Sequence, residues 1–143
     1  VHNISLPPGE FGGSAIIDLF LNRLQPGAHP YYAGIAQLRV SAHFLIRRDG
    51  EVIQFVSCAQ RAWHAGVSQW RGRERCNDFS IGIELEGTDE TPFEEAQYAR
   101  LSALLALLKG QYPIVAVTGH SDIAPGRKTD PGPAFDWNKV ICK

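Results

Sequence analysis

The chain is poor in cysteine, nearly neutral and without a long apolar run, and each shortage removes a class of protein. Its three cysteines, Cys58, Cys76 and Cys142, are scattered and form no C-x-x-C pair. An odd, sparse set is no disulfide framework and suits reduced thiols in a cytoplasm; one disulfide with a spare thiol is the alternative. The formal net charge of -1 leaves no electrostatic footprint for nucleic acid or an anionic membrane. No apolar run approaches the roughly 18 residues of a membrane helix. No repeat, low-complexity tract or Pro/Gly/Ser linker divides the chain, and no signal peptide is visible. What is present is 143 residues of which 44% are apolar, the size and composition of one domain with a single core.

Local patterns predict alternating strands and helices. Val1–Ile4 reads as the tail of a buried strand whose start is missing, and Pro7-Pro8 cannot continue it. Ser14 offers an N-cap after Gly12-Gly13, with Ile17, Phe20, Leu21 and Leu24 at helical spacing and Pro26-Gly27 as the stop. Residues Gln25–Ile35 read as a long ordered loop at the rim of a cleft. Ala42–Ile46 and Glu51–Val56 flank Asp49-Gly50, a hairpin signal, and Phe79–Leu85 is a further apolar strand. Thr91-Pro92-Phe93-Glu94 predicts a capping box opening a helix with Leu101, Leu104, Leu105 and Leu108 buried, ended by Gly110 and Pro113. Ile114–Val117 reads as a last strand and Asp136–Val140 as a short helical tail. The expected fold is α/β, a single domain with a central mixed β-sheet flanked by α-helices.

Two segments at opposite ends of the chain carry chemistry. Val1-His2-Asn3-Ile4-Ser5 and Thr118-Gly119-His120 through Lys128-Thr129-Asp130-Pro131-Gly132 place His2 and His120 at strand ends, where side chains converge over a sheet edge. Asp130 follows a Pro- and Gly-containing loop that can fold back toward His120. Two imidazoles, one carboxylate and an open fourth position form the donor set of a catalytic zinc. The competing reading is a mixture of core and surface histidines. Of the other three, His43 alternates with core residues and reads as a packed, hydrogen-bonded histidine. His64, in Trp63-His64-Ala65-Gly66, reads as a cleft residue that either supports a ligand or contacts substrate, or does neither. His29 reads as solvated or structural.

Those segments, with Ser41–Gly50, Arg61–Gly66 and Gly82–Gly87, resemble the N-acetylmuramoyl-L-alanine amidases of the amidase/peptidoglycan-recognition superfamily, in the family's order and across essentially the whole chain. The similarity is strongest to the cytosolic branch acting on 1,6-anhydro-N-acetylmuramoyl-L-alanine. The resemblance implies one amidase domain over residues 1–143, with Zn2+ on His2, His120 and Asp130. Relatives with a cysteine as third ligand exist, but no cysteine here falls at that place. It implies hydrolysis of the amide between the lactyl group of a muramic sugar and L-alanine, peptidoglycan recycling and control of β-lactamase induction. An anhydro-muropeptide substrate, no nucleic-acid or membrane partner, a monomer and a cytoplasmic location complete the expectation. Its rivals are a periplasmic murein amidase and a non-catalytic peptidoglycan-binding module.

By the same resemblance Glu84 matches the acid/base residue and Lys128 the cation near the scissile carbonyl. Glu84 closes an apolar strand, where burial raises a carboxyl pKa; Glu86, two residues on, shares its face and competes for the role. A strand-end charge pair is the bland reading of both, and a solvated loop charge that of Lys128 and Arg127. Asn3 for the sugar or lactyl group, Arg39 and Arg75 for peptide carboxylates, and Trp63 for the sugar ring are candidate substrate contacts. Each is otherwise a packing residue or surface ion pair.

Overall fold

The computed structural model describes residues 1–140; Cys142 lies outside the described residues. One sheet organises the chain. Its strands are β1 (His2–Ile4), β2 (Phe44–Ile46), β3 (Val52–Gln54) and β6 (Ile83–Glu86), in the order β1-β6-β2-β3. β6 runs parallel to both β1 and β2, and β3 is antiparallel to β2, so the sheet is mixed, as expected. The hairpin between β2 and β3 turns where the sequence predicts. Gly50 sits at φ 90°, a conformation open to glycine, and its N–H bonds to the Arg47 carbonyl at 2.9 Å. A second ribbon pairs β4 (Gln69–Trp70) with β5 (Arg73–Glu74).

Strand alternation splits the core in two. Phe44, Ile46, Ile83 and Leu85 face helix α2 (Glu95–Gln111), which supplies Tyr98, Leu101, Leu105 and Leu108. Leu45 faces helix α1 (Ala15–Phe20) and packs with Leu6, Ile16, Leu19, Phe20 and Leu24. Phe20 and Leu24 are buried as expected, but Ile16 and Leu19 take the places expected of Ile17 and Leu21, and Leu21 is 46% exposed. The helix also ends well before Pro26.

Two further expectations are corrected. The helix α2 begins after Glu94, not Thr91. The Thr91 N–H bonds to the Thr88 hydroxyl, which keeps Thr91-Pro92 in the preceding turn, and the Glu94 N–H bonds to the Gln97 side chain at 3.0 Å. Phe93 packs closely over Gly87, so the chain enters the helix from a buried aromatic anchor. Residues 114–117 form no strand. Pro113 has no N–H to give, and Ile114 N–H turns back to the Tyr112 carbonyl at 2.8 Å. The segment then leads directly into α3 (His120–Ile123). The tail is a 3-10 turn, Trp137–Lys139, capped by the Asp136 carboxylate. Cys58 and Cys76 are free thiols, and no described helix is long and apolar enough to cross a membrane.

Candidate metal centre

Register brings the first two functional side chains together. His2 of β1 pairs directly with Glu84 of β6, so both project from the same face at the same height. The chain returns to this point at α3, where His120 N–H bonds to the Val1 carbonyl at 3.2 Å. Its imidazole thus lies beside that of His2, and the two Nδ1 atoms are 2.9 Å apart. Asp130 closes the group: its Oδ2 is 3.1 Å from His2 Nδ1 and 3.3 Å from His120 Nδ1. His2, His120 and Asp130 are the only described cluster of this kind, with ligand atoms within 4.8 Å of one another.

The donor set fits a cation. A tetrahedral zinc with bonds of about 2.0–2.1 Å has ligand–ligand edges of about 3.3–3.4 Å, close to the observed separations. The electrostatics favour bare donors. Burial lowers the His2 pKa to about 3 against the opposing pull of the neighbouring Asp130 carboxylate, so its ring is neutral. Burial alone pushes the Asp130 carboxyl up, but its close contacts with the His120 and His2 rings outweigh it and hold the group well below its ordinary value. The outer nitrogens are occupied: His120 Nε2–H donates to the Ala65 carbonyl at 2.8 Å, and His2 Nε2 lies 2.9 Å from His64 Nδ1. Such outer contacts aim the inner nitrogens at a metal.

Glu84 stands just behind this group. Its Oε1 is 4.0 Å from His2 Nδ1, and its Oε2 is buried with no hydrogen-bond partner. Burial, then the Asp130 charge, raises its pKa well above the ordinary value. Glu86 shares the face but is fully engaged. It accepts from Gly12 N–H at 2.8 Å, from Arg48 N–H at 3.2 Å and from Arg47 Nη2 at 3.2 Å. One carboxylate is a structural anchor and its neighbour is unpartnered, which separates two residues that the sequence leaves as competitors.

The group opens into a cleft of roughly 1070 Å³. Lys128 is exposed on its wall with Thr129 and Arg127, and Tyr31, Leu38 and Trp63 line it too. The substrate candidates fare differently. Trp63 lines the cleft, 53% exposed, with the Arg61 guanidinium 4.1 Å above its ring. Asn3 lines it too, but its amide donates to the Asp89 carboxylate at 2.7 Å and the Pro131 carbonyl at 3.0 Å. Those hydrogens are not free for a sugar. Arg39 and Arg75 are exposed and lie outside the cleft lining. Arg127 is no solvated charge: it reaches the Ala65 and Val67 carbonyls at 2.6 and 2.8 Å. His43 is a core residue, bonded to the Gln60 carbonyl and Gly82 N–H, and His29 caps the 3-10 turn Pro30–Gly34.

Sequence reasoning misses Asp89. Its carboxylate also accepts from the Thr129 hydroxyl, so it ties the loop carrying Lys128 and Asp130 to β1. Asp89 follows β6 in an ordinary polar turn, and only the folded loop gives it significance.

The profile of a family described as N-acetylmuramoyl-L-alanine amidase matches residues 17–133. A 1,6-anhydro-N-acetylmuramyl-L-alanine amidase, AmpD, of Enterobacter cloacae is 66% identical over 141 residues, spanning 97% of this chain and 75% of that protein. A selenomethionyl AmpD crystal structure superposes with a TM-score of 0.95 at 63% identity, covering 97% of this chain and 79% of the other. The amidase AmiD from E. coli, in complex with its substrate anhydro-N-acetylmuramic acid-L-Ala-D-γ-Glu-L-Lys, matches at 40% identity and a TM-score of 0.67. That match covers 76% of this chain and 49% of AmiD.

Proposed function

The chain belongs to the N-acetylmuramoyl-L-alanine amidase family, and from that premise we propose that it hydrolyses the amide between the lactyl group of 1,6-anhydro-N-acetylmuramic acid and L-alanine. The observation that carries the reading is the unpartnered, buried Glu84 beside His2, His120 and Asp130 at the foot of an open cleft. A structural metal site needs four protein ligands and no vacant acid. Here three donors converge and a carboxylate waits next to them.

His2, His120 and Asp130 would hold zinc, which supplies Lewis-acid polarisation of the amide carbonyl and an acidified water when bound. Glu84 takes a proton from the attacking water and returns it to the leaving nitrogen, the two transfers that amide cleavage requires. Its raised pKa suits both directions of that exchange. Lys128, on the cleft wall, supplies positive charge toward the carbonyl oxygen as it becomes an oxyanion. Trp63 and the Tyr31–Leu38 rim offer apolar surface to the sugar. The substrate is a soluble anhydro-muropeptide in the cytosol, a setting consistent with the free thiols of Cys58 and Cys76, and the product peptide returns to wall synthesis.

The test is a side-by-side incubation of the zinc-loaded protein with anhydro-muropeptide and with intact murein sacculi. Rapid release of stem peptide from the soluble substrate alone is expected. Equal rates on sacculi would refute the preference for a sugar end with no continuing glycan.

A further inference from the structure

A neutral imidazole carries one N–H, and the partner of one nitrogen determines whether the other is bare. For His120 the choice is closed by a carbonyl: Ala65 O can only accept, so Nε2 is the protonated atom and Nδ1 is bare. His2 has no such carbonyl. Its Nε2 meets another imidazole, His64 Nδ1, at 2.9 Å, and that contact can be made with the proton on either ring. With the proton on His64 Nδ1, His2 would be protonated on Nδ1, toward His120 and Asp130, and could not ligate through it.

The far side of His64 breaks the tie. His64 Nε2 lies 3.3 Å from the Ser80 hydroxyl, and that hydroxyl donates its proton to the Cys76 carbonyl at 2.5 Å. Ser80 has only a lone pair left for His64. His64 is therefore protonated on Nε2 and bare on Nδ1, accepts from His2 Nε2–H, and leaves His2 Nδ1 free. The ring is held in this place from three sides. The His64 N–H bonds to the Asn77 side chain at 3.1 Å. The ring sits against the backbone of Gly82, where a Cβ would fall 2.4–2.7 Å from its atoms. The ring of His43 lies 6.0 Å away on another side.

We infer that His64, oriented by Ser80 and seated on Gly82, is a positioning residue that sets the tautomer of His2 and so prepares Nδ1 as a metal ligand. The inference rests on the metal reading above. It assigns a purpose to two otherwise unremarked features, a serine whose proton is committed to a backbone carbonyl and a glycine whose missing side chain is filled by an imidazole.

The experiment pairs two readouts. Nitrogen-15 NMR of the His2 side chain in chelator-treated protein at neutral pH reads the tautomer directly; protonated Nε2 and bare Nδ1 are expected. Zinc affinity, by competition with a chromophoric chelator, is compared for wild type, His64→Phe, His64→Asn and Gly82→Ala. His64→Phe keeps a ring but no acceptor and should weaken zinc about 10–100-fold. His64→Asn places an amide oxygen near the lost Nδ1 and should recover all but a few-fold. Gly82→Ala displaces the ring and should behave like His64→Phe, with thermal unfolding of the metal-free forms confirming that each is folded. A His2 ring protonated on Nδ1, or undiminished zinc affinity in folded His64→Phe, overturns the inference. Wild type that takes up no zinc overturns the metal reading instead, and the tautomer measurement still decides the inference by itself.

Discussion

Replacing Glu84 by glutamine should cut turnover by orders of magnitude and make the metal-free protein more stable, and the second effect has a definite pH signature. The Glu84 side chain is 11% exposed, and one of its oxygens has no partner. Its folded pKa lies well above the ordinary value of 4.5 because burial and the Asp130 charge disfavour the anion. Below pH 4.5 both folded and unfolded states carry the proton, and the carboxyl makes no pH-dependent demand. Between 4.5 and the folded-state pKa, unfolding releases a proton, so stability falls by about 1.4 kcal/mol for each pH unit. Glutamine cannot ionise and removes that slope. His2 and His64, whose pKa values burial lowers to about 3 and about 2, work in the opposite direction as pH falls through 6.5. They are common to both proteins and cancel in the difference. Urea unfolding of chelated wild type and Glu84→Gln from pH 4 to 8 should therefore give curves that coincide at the acid end and diverge upward in favour of the variant. Loss of the proton carrier should lower kcat by about 10²–10⁴ while zinc stays bound. A variant less stable at every pH, or one that retains turnover, would refute the assignment of Glu84 as the buried acid and base.

Removing a ligand should empty the site: His120→Ala is expected to lose its zinc in elemental analysis, and full occupancy would sink the ligand set. Lys128→Ala should lower kcat by about 10²–10³ with little change in thermal stability, since the side chain is exposed and the loss is that of one oxyanion donor; unchanged kinetics would return Lys128 to the role of a solvated charge. Glu86→Ala should do the reverse, because it strands the half-buried Arg47 guanidinium. A cost of about 3–5 kcal/mol in unfolding free energy is expected for one partner left alone, with turnover per folded molecule retained. If that variant is folded and inactive, the two carboxylates of β6 have been assigned the wrong way round.

The candidate site was more legible in the sequence than the fold around it. His2, His120, Asp130, Glu84 and Lys128 all stand in short segments whose wording is tied to chemistry, and the structure gathers them at one place. Glu84 and Glu86 could not be separated by period 2, because what separates them is the arrival of Gly12, Arg47 and Arg48 from distant parts of the chain. The Thr91 capping box failed because Thr88 offers the same N–H a nearer hydroxyl. The face of α1 is only half legible: Phe20 and Leu24 are buried as the spacing predicts, but packing against Leu45 and Leu6 selects Ile16 and Leu19 over Ile17 and Leu21. Asn3 reads in the sequence as a substrate donor, but its amide is spent on Asp89, in the turn after β6, and on the Pro131 carbonyl, in the loop of Asp130. Local pattern marks the candidate groups; the contacts that orient them are long-range and have no local signature.

The measurement that bears most directly on the account is mass analysis of the products formed from anhydro-muropeptide by the zinc-loaded protein, the chelated protein and the chelated protein with zinc restored. Free 1,6-anhydro-N-acetylmuramic acid and a peptide beginning at L-alanine should form in the first and third samples and not in the second. Cleavage at a peptide or glycosidic bond, no cleavage, or the same products after chelation would contradict it.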